Sequence, residues 1–171
     1  MVSENIAKLL NEQVNHEFYS AYLYLAMSAY LAENGYAGRA NWYFVQYREE
    51  TEHALYIFKY LESEGARVVF SAVPSPETDF KGVQDILQKT LNHERKVTDL
   101  INSIAKAALN ESDFRTLEFM SWFIKEQAEE ERNCNDNLAK AEICGRERLY
   151  ILDESLGARV YTPSQNPPIV I

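Results

Sequence analysis

The chain has 171 residues, 46% of them hydrophobic and 25% charged, with a formal net charge of -9. That supplies a full core for one domain and is too apolar for a disordered acidic chain. The acidic balance argues against a nucleic-acid partner, which needs a basic surface, and suits a protein that attracts cations.

Between residues 39 and 144 the only glycines are Gly65 and Gly82, and no run alternates like a strand, so long helices are predicted. Met1-Val2-Ser3-Glu4 leads directly into a helical pattern, so no leader peptide is expected, and no apolar run is long enough to cross a membrane. The first helix runs from about Ser3, a plausible N-cap, to about Glu33, where Asn34-Gly35 stops it. The second begins near Gly38 and ends at Gly65. The third starts around Gly82 and fades near Asn110. The fourth begins at Ser112, with Ser112-Asp113 as its cap, and ends at about Cys144, before Gly145. A short amphipathic fifth helix is predicted from about 147 to 156. Residues 158–171 contain three prolines and read as a tail. It is either a disordered end or a segment whose apolar Ile169-Val170-Ile171 docks on a subunit shell or another protein.

The connections set the topology. The first two helices, and the third and fourth, are joined by short links and form antiparallel hairpins. The segment from Ala66 to Lys81 contains Pro74 and Pro76 and looks extended through Arg67-Val68-Val69-Phe70. Sixteen extended residues reach roughly 50 Å, and a 27-residue helix is roughly 40 Å long. This segment can therefore travel the whole bundle and start the third helix parallel to the second. The expected fold is all-α: a four-helix bundle over about 3–144 with one long crossover and a short fifth helix, in one domain over 1–157, followed by the tail 158–171. Cys134 and Cys144 lie roughly 15 Å apart along one predicted helix and cannot bridge within the chain, which points to a reducing cytoplasm.

Two acid-bearing segments recur with the same offset of 77 residues. Asn15-His16-Glu17 returns as Asn92-His93-Glu94, and Arg48-Glu49-Glu50-Thr51-Glu52-His53 returns as Lys125-Glu126-Gln127-Ala128-Glu129-Glu130. Each half thus offers one lone Glu and, 33 residues on, an i, i+3 pair that points one way from a helix. The predicted core stripes place these acids mid-helix: Leu10, Val14, Glu17, Ala21, Tyr24, Ser28 and Leu31 on the first helix, and Tyr43, Tyr47, Glu50, Ala54, Ile57 and Leu61, with His53 alongside, on the second. On the third the stripe is Val83, Leu87, Leu91, Glu94, Val97, Ile101 and Ala105. On the fourth it is Thr116, Met120, Phe123, Gln127, Glu130, Cys134 and Leu138. A single acid of this kind is explained by a slightly rotated stripe with its carboxylate in water. Four at matched heights are not.

Burying these carboxylates unpaired would cost several kcal/mol each, and no Lys or Arg lies on the stripes. Glu17, Glu50, Glu94 and Glu130 sum to four negative charges, which two divalent cations neutralise, with His53 adding one nitrogen. Oxygen-rich ligation with a single imidazole suits iron or manganese and disfavours a structural zinc site. Glu50 is the natural bridging carboxylate, because His53 one turn on fixes one ion and the second ion must share anionic ligands.

With these residues in place, the chain resembles the non-haem ferritins of the bacterial and archaeal type, within the di-iron carboxylate bundles. The similarity covers residues 1 to about 157 and is carried by Asn11-Glu12-Gln13, Tyr19-Ser20-Ala21-Tyr22-Leu23-Tyr24, Glu49-Glu50-Thr51-Glu52-His53, Trp122-Phe123 and Glu126-Gln127-Ala128-Glu129-Glu130-Glu131. The resemblance implies that Glu17, Glu50 and His53 hold one iron. It implies that Glu50, Glu94 and Glu130 hold a second, with Gln127 as a hydrogen-bonding member of the site. Glu49, Glu126 and Glu129, together with Glu130, resemble a third iron site, and Tyr24 matches a tyrosine beside the oxidation centre. Trp122 reads as packing.

The implied activity is storage and detoxification of iron. Fe(II) is oxidised to Fe(III) with O2 or H2O2 at the di-iron centre and kept as a mineral inside a homo-oligomeric shell of twenty-four cytoplasmic subunits, with no nucleic-acid or membrane partner. The chain departs from bacterioferritins, which carry Glu-x-x-His where this chain has Gln127-x-x-Glu130. Their haem-ligating methionine falls at Thr51, so no haem is expected. A four-cysteine rubredoxin domain, as in rubrerythrins, is absent from the sequence. Two other readings stay open: a di-iron oxidase or peroxidase acting on another substrate, and a catalytically slow structural subunit.

Overall fold

The computed structural model describes residues 2–164 and 166–171, with Arg146 and Glu147 described by their backbone alone; Met1, where the leaderless start was read, and Gln165 of the tail lie outside the described residues. Its elements are α1 (Glu4–Glu33), α2 (Ala37–Ser63), α3 (Val83–Asn110) and α4 (Phe114–Leu156). α4 is broken at Gly145, whose φ of 63° and ψ of 172° leave the helix. Glycine takes this left-handed backbone without the Cβ clash that other residues meet. The break separates the fourth bundle helix, 114–144, from a fifth helix over 146–156. No helix among the described residues is long and apolar enough to cross a membrane.

The starts of α1 and α4 are set by side chains. Ser3 Oγ accepts from the backbone N–H of Ile6 at 3.1 Å, and Asp113 accepts from both the N–H and the hydroxyl of Thr116 at 3.1 and 2.6 Å. Each satisfies a donor left open by the first helical turn. α4 begins two residues after the expected Ser112, because Ser112 takes a φ of 56° and belongs to the turn.

The core divides into two apolar clusters that give the helix directions. One joins the start of α1 (Ile6, Leu10), the end of α2 (Ile57, Leu61), the end of α3 (Ile101, Ala108) and the start of α4 (Phe119, Phe123). The other joins the opposite ends, with Leu31, Ala40, Val83, Ile86 and Ala141. The order is therefore up-down-down-up. Residues 64–82 run the length of the bundle, from Ala66 on the first cluster to Phe80 in the second. Asn11 pins this crossover, donating to Arg67 O at 3.1 Å and accepting from Val69 N at 2.6 Å. Of the predicted stripes only Tyr47 and Leu138 are partly exposed; the rest is buried.

The fifth helix is attached at the N-terminus of α2. Tyr36, the N-cap of α2, makes no side-chain cap bond. Asp153 takes over that role from 115 residues away, accepting from Gly38 N at 2.7 Å and Arg39 N at 2.9 Å. The buried Arg39 returns a donor to Leu149 O at 3.1 Å and to Asp153 at 3.3 Å. A carboxylate at a helix N-terminus is favoured by the helix dipole as well as by these bonds.

The tail does not trail away. Asn41 Nδ2 donates to Arg159 O at 2.8 Å, Tyr161 Oη donates to Glu52 at 2.9 Å, and the Arg48 guanidinium lies 3.9 Å over the Tyr161 ring. Ile169 packs on the first apolar cluster. Of the apolar end, Ile169 docks on the chain's own bundle, whereas Val170 and Ile171 are exposed.

Gly38 tests the attachment of the fifth helix. A Cβ at this position would collide with the backbone carbonyl of Asp153. Gly to Ala inside a helix ordinarily gains up to about 1 kcal/mol. Here overpacking should reverse the sign, with Gly38→Ala losing about 1–3 kcal/mol. A denaturant midpoint combined with proteolysis of residues 145–157 checks this; a midpoint raised by the substitution would refute it.

Candidate metal centre

Between the two apolar clusters, at mid-height, the four helices each present acidic or amide side chains to the axis. Glu17, Glu50, Glu94 and Glu130 are only 1–4% exposed, and His53 and Gln127 are equally deep. The i, i+3 spacing puts Glu50 and His53 on one face of α2 and Gln127 and Glu130 on one face of α4. Ligand atoms of Glu17, Glu50 and His53 lie within 4.8 Å of one another, with His53 Nδ1 3.6 Å from Glu50 Oε2. Glu94 and Glu130 stand outside that tight group, each held by its own donors. Among the described residues, no Lys or Arg forms an ion pair with any of the four carboxylates.

Neutral donors hold the carboxylates in place. Gln13 Nε2 donates to Glu17 Oε1 at 2.9 Å, and Gln46 Nε2 donates to Glu130 Oε2 at 3.0 Å. Gln127 Nε2 donates to Glu94 Oε2 at 2.9 Å, and the Tyr24 hydroxyl donates to Glu94 Oε1. Tyr24 is fully buried and stacks edge-on to His93. Glu17 Oε2 is buried with no hydrogen-bond partner. A buried, unpartnered carboxyl oxygen is costly, and a bound cation or a proton on the carboxyl resolves it. His53 is held edge-on to Trp122 at 5.4 Å and Phe123 at 6.0 Å, which orients its ring from the dry side.

The third predicted group has a different character. Glu49 and Glu126 are half-buried and Glu129 is exposed, on the side of α2 and α4 where the tail lies. Burial raises the Glu49 and Glu126 carboxyls; Arg159 and His53 oppose this at Glu49 and His53 at Glu126, with smaller upward contributions from Glu126 on Glu49 and from Glu129 on Glu126. Glu49 already has a cationic partner: Arg159 Nη2 donates to its Oε2 at 2.7 Å.

Gln13, Gln46 and Arg159 are absent from the sequence-level site. Gln13 and Gln46 each precede a buried core acid by one turn, in Gln13-x-x-x-Glu17 and Gln46-x-x-x-Glu50, and that matched spacing was an available signal. Arg159 had none, because it sits in an aperiodic tail.

A four-helix bundle with one long crossover, carrying carboxylates and a Glu-x-x-His pair at its centre, is the architecture of di-iron carboxylate proteins. The model of the ferritin-like domain matches residues 7–144. The chain belongs to the ferritin family. It is 36% identical over 159 residues to a probable bacterial non-heme ferritin-like protein of Haemophilus influenzae, covering 92% of this chain and 96% of that protein. It is 34% identical over 167 residues to a bacterial non-heme ferritin of Staphylococcus saprophyticus, covering 96% and 100%. The open-pore ferritin of Archaeoglobus fulgidus superimposes with a TM-score of 0.92 at 36% identity, covering 94% of this chain and 100% of that one. A humanized archaeal ferritin superimposes at 0.94 with 34% identity, covering 95% and 100%.

In this ferritin the metal-free centre is electrostatically loaded. Burial raises the Glu17 and Glu50 carboxyls well above the usual range, helped at Glu17 by Glu50 and at Glu50 by Glu94 and Glu130. Burial and the neighbouring Glu94 push Glu130 up to about 8. Burial also raises Glu94, against the opposing hydrogen bonds from Tyr24 and Gln127. These groups therefore bind more protons in the folded state than in the unfolded chain at neutral pH. Their contribution to stability is present below the ordinary value of 4.5 and is lost as the pH rises toward about 8. The metal-free protein should unfold at a lower temperature at pH 8 than at pH 5.5, and saturating divalent metal should reduce or invert that difference. Calorimetric melting at both pH values checks it; a metal-free melt that rises with pH would count against the assignment.

Proposed function

We propose that this chain is an iron-storage ferroxidase subunit. The carrying observation is the set of four buried carboxylates and one imidazole at a common height, with no Lys or Arg among the described residues in an ion pair with any of the four. Two Fe(II) ions supply the missing four positive charges. Glu17, Glu50 and His53 hold one ion; Glu50, Glu94 and Glu130 hold the other, with Gln127 keeping Glu94 oriented and Tyr24 donating to its second oxygen.

Fe(II) is the substrate. Each of two ions loses one electron, O2 takes both, and with two protons it leaves as hydrogen peroxide. Pairing the ions lets one oxygen molecule be reduced by two electrons in a single encounter. Hard carboxylate oxygens favour Fe(III) over Fe(II) and so pull the oxidation forward. At neutral pH the raised carboxyls carry protons that iron must displace, so binding releases protons and weakens as the pH falls.

Storage as a ferric mineral requires a closed cavity, which one bundle cannot enclose, so the working form is a homo-oligomeric shell, proposed as twenty-four subunits. Exposed apolar side chains at Tyr22, Ile143, Tyr150 and Ile151 support burial in subunit contacts. The two free cysteines fit a reducing cytoplasm. Glu49, Glu126 and Glu129 are proposed as a weaker third iron position on the way from the centre.

His53→Ala separates chemistry from assembly. It should slow the early phase of Fe(II) oxidation by at least about tenfold, the lower end of the loss when even a group behind a metal ligand is removed. Shell size by light scattering should not change, because His53 is an interior group. Stopped-flow absorbance in air provides the rate, and an unchanged fast phase would sink the site assignment.

A further inference from the structure

The segment after the fifth helix carries a cation to the acid cluster. Arg159 uses both ends of its guanidinium: Nη2 donates to Glu49 Oε2 at 2.7 Å and Nη1 donates to Gln46 Oε1 at 2.6 Å. The group lies 4.8 Å over the Trp42 ring, and Nη1 also reaches Trp42 O at 3.4 Å. A planar fork stacked on an aromatic face is a geometry that arginine alone among the cationic side chains supplies.

Gln46 transmits this contact inward. It is fully buried, and its amide has one accepting and one donating end. With Oε1 held by Arg159, Nε2 is directed toward the axis, where it donates to Glu130 Oε2 at 3.0 Å. The flipped amide would set donor against donor at Arg159 and oxygen against oxygen at Glu130. The guanidinium therefore selects the orientation that holds a proposed iron ligand. The backbone at Arg159 is itself tied down by Asn41, and the next turn of the tail by Tyr161 and Ser164 to Glu52.

We propose that Arg159 is a positioning residue that stands in the place of a third metal ion: it neutralises Glu49, fixes Glu130 through Gln46, and limits the resting subunit to two tightly bound ions. The proposal rests on the two-iron reading above. A third ion at Glu49, Glu126 and Glu129 competes with the guanidinium for the same Glu49 carboxylate and enters tightly only when Arg159 leaves. The Arg159 guanidinium itself, rather than the packing of the rest of the tail, thereby governs which acids of the centre are open to iron.

Anaerobic calorimetric titration of the full-length metal-free shell with Fe(II) reads the number of tight sites per subunit. Wild type should show two and Arg159→Gln three, with Arg159→Gln/Glu49→Gln returning to two. Tyr161→Phe, which weakens the tail's other anchor and leaves the guanidinium, should stay at two; a count of three there would assign the effect to tail release and overturn the proposal. Equal counts in wild type and Arg159→Gln would also overturn it. Glu17→Ala serves as the reference for the centre itself. If it lowers the wild-type count while Arg159→Gln changes nothing, the proposal alone fails; if it does not lower the count, the two-iron reading fails and takes the proposal with it.

Discussion

Four carboxylates held out of water at one level of a helical bundle form the constraint to which the rest of the molecule answers. Taking an ionised carboxylate from water into protein costs several kcal/mol unless it is paired. Among the described residues no Lys or Arg forms an ion pair with Glu17, Glu50, Glu94 or Glu130, so without metal the centre keeps protons on groups that are ordinarily ionised. Divalent ions remove the penalty. The same arrangement that is costly without metal makes the centre attract iron.

The neutral donors around the centre divide the labour unevenly. Glu94 is held at both oxygens, by Tyr24 and Gln127, and Glu130 at one, by Gln46. Glu17 is held at one oxygen by Gln13 and leaves the other without a partner. Glu17 itself belongs to the tight group with Glu50 and His53, where a metal gains most from an unengaged ligand. Glutamine and tyrosine suit this duty because they orient an anion without cancelling its charge.

Attachment of the fifth helix and the tail follows a related logic. Asp153 caps α2 from the fifth helix, and the close approach at Gly38 leaves no room for a side chain, so the fifth helix is registered against the start of α2. From there the chain can only continue along α2, which delivers Arg159 to Gln46 and Glu49 and Tyr161 to Glu52. A helix cap some distance from the centre thus determines which side chain meets the outer acids.

The helices, their directions and the acids facing the axis were legible in the sequence, because a period near 3.6 residues and a repeat at 77 residues are local patterns that packing preserves. Glycines at 35, 65, 82 and 145 marked the ends of helices through backbone freedom that needs no tertiary context. Gln13 and Gln46 could have been found by the same spacing, since each lies one turn before a core-facing acid. The tail could not. Residues 158–171 have no period, and their placement depends on a pairing between Asp153 and the N-terminus of α2 across 115 residues. Sequence by itself determined which side chains share a helix face, because that is set by local geometry. Only the tertiary structure decided which charge meets which, because Arg159 and Glu49 are 110 residues apart and become partners only once the fifth helix has docked.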